Sequence, residues 1–143
     1  MSQTLLAENK ISIDAPLSKV WEVLVAPKYI RQWDDLPTDF EDYYLDVGRT
    51  IVWPGYSRMT VTVYEPYDKL VFSFYADKWE EPPAAYDIAY TFSLSEIDSG
   101  TELSLKIGDF AVLPDGEEYY RSSVEFAADA LAKIKSLAEN RVN

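Results

Sequence analysis

Apolar positions along the chain follow two periods, and the change from one to the other outlines the fold. A β-like run over roughly 3–13 places Ile11 and Ile13 on one face. Asp14 then reads as a helix cap and Pro16 as a first-turn residue. Leu17, Val20, Trp21 and Leu24 recur at the steps of one apolar helical face. Pro27 opens a second short helix that carries Tyr29, Ile30 and Trp33.

From about residue 38 the period falls to two. "FEDYYLDVG" runs to a turn at Asp46–Gly48, and "RTIVW" ends at Pro54-Gly55. "RMTVTVYE" sets Met59, Val61 and Val63 against Thr60, Thr62 and Tyr64. After a Pro66–Asp68 turn comes the apolar run "LVFSFYA". "YDIAYTFSLSE" puts Tyr86, Ile88, Tyr90, Phe92 and Leu94 on one face, and "TELSLKIGDF" does so with Leu103, Leu105 and Ile107. The connections are hairpin-like, so the strands are expected to be antiparallel.

The last stretch returns to helical spacing. Asp115 and Glu118 form a weak capping box, and Tyr120, Val124, Ala127, Leu131, Ile134 and Ala138 follow at steps of three and four. The helix is predicted to end near 139, a span of roughly 36 Å at 1.5 Å per residue. The expected fold is α+β. One domain over residues 1–143 holds a curved antiparallel sheet of seven strands, two short helices and a long C-terminal helix across the concave face.

Composition narrows the chemistry. The chain has 143 residues, 13 basic and 25 acidic, for a formal charge of −12. That balance disfavours nucleic acid and anionic membrane surfaces. With no His and no Cys, Cys/His zinc sites, disulfides and Ser-His-Asp relays are excluded. The start, "MSQTLLAENK", lacks the pattern of a signal peptide, and no apolar run is long enough to span a membrane. A cytoplasmic location is expected.

The wording of three blocks resembles a known superfamily. "ISIDAPLSKVWEVLVAPKYIRQW" is similar to the opening of START-like, or SRPBCC, helix-grip domains. "TVTVYEPYDKLVFSF" resembles their Glu-Pro turn, and "YTFSLSEIDSGTELSLKIGDF" their Gly-Thr hairpin and Gly-x-Phe exit. Together with "LAKIKSLAEN" near the end, the hairpin resembles the branch related to the C-terminal domain of the activator of heat-shock protein 90 ATPase. Phe126-Ala127 stands where that branch often has Trp, and its Gly-rich segment is reduced to "WPGYS". The resemblance implies a fold with a ligand cavity, and it implies no particular reaction.

The pocket predicted on this basis is lined by Trp33, Met59, Val61, Phe72, Phe74, Tyr86, Ile88, Tyr90, Leu105, Ile107, Tyr120, Val124, Ala127 and Leu131. Ala127, Ala128 and Ala130 leave room beneath the helix, and Trp79 sits in a long connection that reads as a lid. Trp21 is assigned to the core and Trp33 to the cavity rim. The acidic segment "QWDDLPTDFEDYY" matches no calcium loop and reads as a solvated face. Arg31, Arg58, Asp109 and Glu118 are the charges considered for the opening, and none forms a paired catalytic set.

The leading expectation is a carrier or sensor that binds a small hydrophobic or aromatic molecule, with no catalysis, no cofactor and no metal. One alternative is a chaperone-associated protein-binding module, and a second is a cyclase-like enzyme. A homodimer is compatible with all three.

Overall fold

The computed structural model describes residues 5–34, 36, 40, 44–53, 55–76, 79, 88–98, 100–113 and 115–139. In chain order the elements are β1 (Ala7–Ile13), α1 (Leu17–Val25), α2 (Pro27–Trp33), β2 (Thr50–Trp53), β3 (Ser57–Glu65), β4 (Lys69–Ala76), β5 (Ala89–Ile97), β6 (Gly100–Gly108) and α3 (Gly116–Glu139). A short 3-10 turn at Phe110–Val112 precedes α3. The strands form one antiparallel sheet in the order β1-β6-β5-β4-β3-β2.

Among the described residues the sheet has six strands, not the expected seven. The strand anticipated before β2 does not form at Tyr44, Leu45 and Asp46, and residues 41–43 lie outside the described set. Leu45 is buried, and its N–H donates to the Val25 carbonyl at the end of α1 (2.9 Å). That bond satisfies a helix-terminal acceptor and takes the place of a ladder bond. Phe40, which packs on the core, and the buried Leu45 are spaced apolar anchors that imitate strand alternation.

The start of α1 also differs from expectation. Its cap position is Pro16, with no side-chain cap bond. The Asp14 N–H donates instead to Glu139 Oε2 (2.9 Å), and Lys135 Nζ donates to the Ser12 carbonyl (2.7 Å). These contacts tie the last turn of α3 to the end of β1.

The strand phases agree with the period-two reading. Met59 faces Phe74, Val61 faces Phe72, Phe72 faces Tyr90, Tyr90 faces Ile107 and Phe92 faces Leu105 across the ladders. Directly opposed residues share a face, so these side chains form one inner surface. A register shift between Val61 and Val63 marks an irregularity of the bulge type, which bends a strand.

Helix α3 buries Ala127, Ala130, Leu131, Ile134 and Ala138. Its close backbone neighbours in the sheet are β1 and β6, on one side. The inner face of β2, β3 and β4 therefore has less helix above it, and a gap opens there.

Candidate functional site

That gap is a cleft of about 520 Å³, lined by Asp34, Trp53, Tyr56, Ser57, Met59, Phe74, Tyr90, Phe110, Tyr119, Ser122, Ser123 and Phe126. The volume lies within the ordinary range for small-molecule sites. Its sheet wall comes from Trp53, Met59, Phe74 and Tyr90, on four successive strands. Tyr119, Ser122, Ser123 and Phe126 form the opposite wall, all from the first turns of α3. Tyr56 is 77% exposed and marks the rim.

Phe110 holds the end near the start of α3. Its ring stacks on Tyr119 (centroids 5.7 Å apart, 18° between planes). Gly116 makes this fit, because a Cβ there would run into the Phe110 carbonyl. Asp109 orders the approach, its Oδ1 accepting from the N–H groups of Leu5 (2.8 Å) and Ala111 (2.9 Å).

A recess of about 10 Å³ continues inward between Ile30, Trp33, Asp34, Ile51, Met59, Phe72, Tyr90, Phe92 and Phe126. That is about the space for one water. The roomy part of the site is thus an open cleft rather than a sealed interior. Trp33 lies at the inner end and not at the rim: its Nε1 donates to the Val23 carbonyl (2.9 Å) and its ring meets Phe92 edge-on. Trp21 is buried, as expected, edge-on to Tyr64 and Tyr67.

The other anticipated lining residues divide into groups. Met59, Phe74 and Tyr90 reach the cleft, and Trp33 and Phe72 reach the recess. Val61, Ile88, Leu105, Ile107, Ala127 and Leu131 are buried core that lines neither space. Ala128 is exposed, so no space opens around it beneath α3. Tyr120 packs partly on the core, and Val124 is 43% exposed. Tyr86 lies outside the described residues. Trp79 is buried, edge-on to Phe74, Tyr75 and Tyr119, with its Nε1 donating to the Tyr119 hydroxyl (3.1 Å).

Sequence reasoning missed Asp34, Trp53, Tyr56, Ser57, Phe110, Tyr119, Ser122, Ser123 and Phe126. On α3 the cause is a phase error. The cleft-facing line carries two serines, which contribute no hydrophobic signal, so the apolar stripe was drawn through Tyr120 and Val124. In sequence Asp34 reads as part of a solvated acidic face. It is part-buried and lines both the cleft and the recess.

Asp34 also sets the local electrostatics. Burial pushes the Tyr90 phenol well above its ordinary pKa, and the Asp34 charge pushes the same way. Tyr90 is therefore a neutral hydroxyl. The charges considered for the opening are elsewhere. Arg31 donates to the Phe40 carbonyl (2.7 Å), Arg58 lies over the Tyr75 ring, Asp109 serves the backbone, and Glu118 is exposed. Among the described residues no group of three or more acidic side chains is placed to hold a metal ion.

A sheet that grips a long C-terminal helix, with two short helices after its first strand, defines the START-like, or SRPBCC, helix-grip class. Within it, the chain belongs to the family described as "Activator of Hsp90 ATPase homolog 1-like protein", whose model matches residues 14–139. Solved structures show the same fold. Protein MLL2253 from Mesorhizobium loti is 22% identical at a TM-score of 0.74, covering 96% of this chain and 99% of that one. The Aha1 dimer from Colwellia psychrerythraea is 17% identical at a TM-score of 0.71, covering 94% and 96%. ChR145 from Cytophaga hutchinsonii is 24% identical at a TM-score of 0.70, covering 99% and 98%. No curated protein matches the sequence. Among the described residues no helix is long and apolar enough to cross a membrane.

Proposed function

We propose that this protein takes up a small apolar or aromatic molecule in the cleft between α3 and the sheet, as a carrier or sensor that leaves it chemically unchanged. The supporting observation is the cleft itself. Seven of its twelve described lining residues are aromatic (Trp53, Tyr56, Phe74, Tyr90, Phe110, Tyr119 and Phe126), with hydroxyls at scattered points. Aromatic walls with a few polar groups suit flat ligands of modest size. The proposed carrier is one cytoplasmic domain over residues 1–143, in which Trp79 braces the α3 wall at Tyr119.

Tryptophan fluorescence during titration with neutral aromatic molecules tests it, with Trp53→Phe as control. Saturable quenching that weakens in the variant is the expected result. A flat response across the panel by a folded protein would overturn the reading.

The family and the Aha1 dimer support a second reading, a chaperone-associated module that also forms a homodimer. Capture of heat-shock protein 90 by this chain, unaffected by a cleft ligand, would favour it. The cyclase-like alternative draws on Asp34 lying near Tyr90. Mass spectrometry of the ligand recovered after incubation separates it from a carrier: an altered mass means catalysis.

A further inference from the structure

Two hydroxyls in the cleft have hydrogen-bonding capacity to spare. Among the described residues, no side-chain nitrogen or oxygen that is sealed from solvent lacks a partner. Ser123 is only 6% exposed, and its Oγ makes no hydrogen bond to a described residue. A serine inside a helix usually turns to water or bonds the carbonyl one turn back, and Ser123 does not take that carbonyl. Its Oγ is therefore unsealed, and it opens onto the space that Ser123 lines, the cleft.

Tyr90 is the second case. Burial keeps its phenol neutral, and its hydroxyl makes no hydrogen bond to a described residue. The Tyr119 hydroxyl, by contrast, accepts from Trp79 Nε1 (3.1 Å). Ser123 and Tyr90 approach from opposite walls, one on α3 and the other on β5. Ser123 stands one turn before Phe126, whose ring meets Tyr90 edge-on with centroids 5.9 Å apart. Both hydroxyls thus lie toward the end of the cleft that adjoins the recess, since Tyr90 and Phe126 border both spaces.

We propose that Ser123 and Tyr90 are the polar anchor of the cleft and hold a neutral oxygen substituent, a hydroxyl or a carbonyl, on a ring-bearing ligand. This rests on the cleft being a ligand site. Each hydroxyl can donate and accept, so the pair suits an oxygen that does either. A bare hydrocarbon in the same place covers both oxygens and gives them no partner, which selects against it. Each bond between neutral groups is worth about fivefold in affinity.

The test is an NMR titration of the labelled full chain with two probes of one shape, 2-naphthol and 2-methylnaphthalene. The quantity read is the ratio of the two affinities, which removes the difference in their hydrophobicity. Ser123→Ala and Tyr90→Phe should each lower the preference for naphthol about fivefold while leaving methylnaphthalene bound at least as tightly. The urea midpoint of Ser123→Ala should not fall, because its Oγ has no internal bond to lose. In the unaltered protein, bound naphthol should show nuclear Overhauser contacts to the Ser123 β-protons and the Tyr90 ring, a readout that needs no variant. If naphthol binds without those contacts, or with a ratio that neither substitution changes, the anchor is wrong and the ligand site stands. Equal losses for both probes would also overturn the anchor, since they mark a damaged wall. If neither probe binds, the ligand-site reading falls and the anchor with it.

Discussion

Replacing Phe126 by alanine joins the two spaces that its ring now borders, the cleft and the recess behind it. The cost follows from how the ring is held. It is part-buried, and it meets Tyr90 edge-on with centroids 5.9 Å apart. Losing that contact costs about 1 kcal/mol. Re-exposing the apolar wall area beside it adds about 1.5 kcal/mol. Alanine restores about 0.5 kcal/mol through better helix propensity. The net loss is about 2 kcal/mol. Phe92 provides the internal standard, since it is fully enclosed against Trp33 and Phe72. Phe92→Ala should cost about 4 kcal/mol, in the range of sealed aromatic sites. Urea unfolding of both variants measures the difference as shifts in midpoint at constant slope. Equal losses would show that Phe126 is sealed core and that the cleft does not reach it. A loss below about 0.5 kcal/mol would show a ring in solvent with no wall to support.

Other substitutions probe separate parts of the fold. Trp33→Phe leaves the Val23 carbonyl without its buried donor, and the urea midpoint should fall by about 1.5 kcal/mol, an unchanged midpoint speaking against that bond. Ile134→Ala, at a fully buried position of α3, should cost about 3 kcal/mol, whereas Val124→Ala should stay within about 0.5 kcal/mol. Reversal of that order would restore the stripe drawn through Val124. The Tyr90 phenol is held above its ordinary value of 10.0 in the folded state, mainly by burial. Its contribution is complete below the unfolded pKa and is lost as pH rises from about 10 through the folded value. Tyr90→Phe should therefore lose less stability than the unaltered protein between about pH 9 and pH 11, and parallel profiles would contradict the burial.

Much of the architecture was legible because strand and helix periods leave direct marks on a sequence. Met59, Val61, Phe72, Tyr90, Phe92 and Leu105 were assigned to the correct face of their strands. Alternation allows two phases, and only one buries the apolar set. The two short helices and the span of α3 were legible from Pro27 and from the spacing of Leu131, Ile134 and Ala138. The absence of His and Cys by itself excludes Cys/His zinc sites, disulfides and Ser-His-Asp relays.

The site was less legible, because a cleft is a property of what fails to pack. Leu105 and Met59 have the same pattern in sequence, yet one lies in the β6 core and the other opens onto the gap. The difference is that α3 runs close to β1 and β6 and leaves the β2–β4 side less covered. The first turns of α3 were misphased, because Ser122 and Ser123 face a cavity rather than a sheet and need not be apolar. Asp34 could not be told from its acidic neighbours without knowing that α2 ends at the cleft. Local periodicity decided which faces are buried; the docking of one long helix decided which part of that surface remains open to a ligand. Such docking depends on contacts between residues far apart in the chain, including Asp14 with Glu139 and Ser12 with Lys135, and no local pattern encodes those.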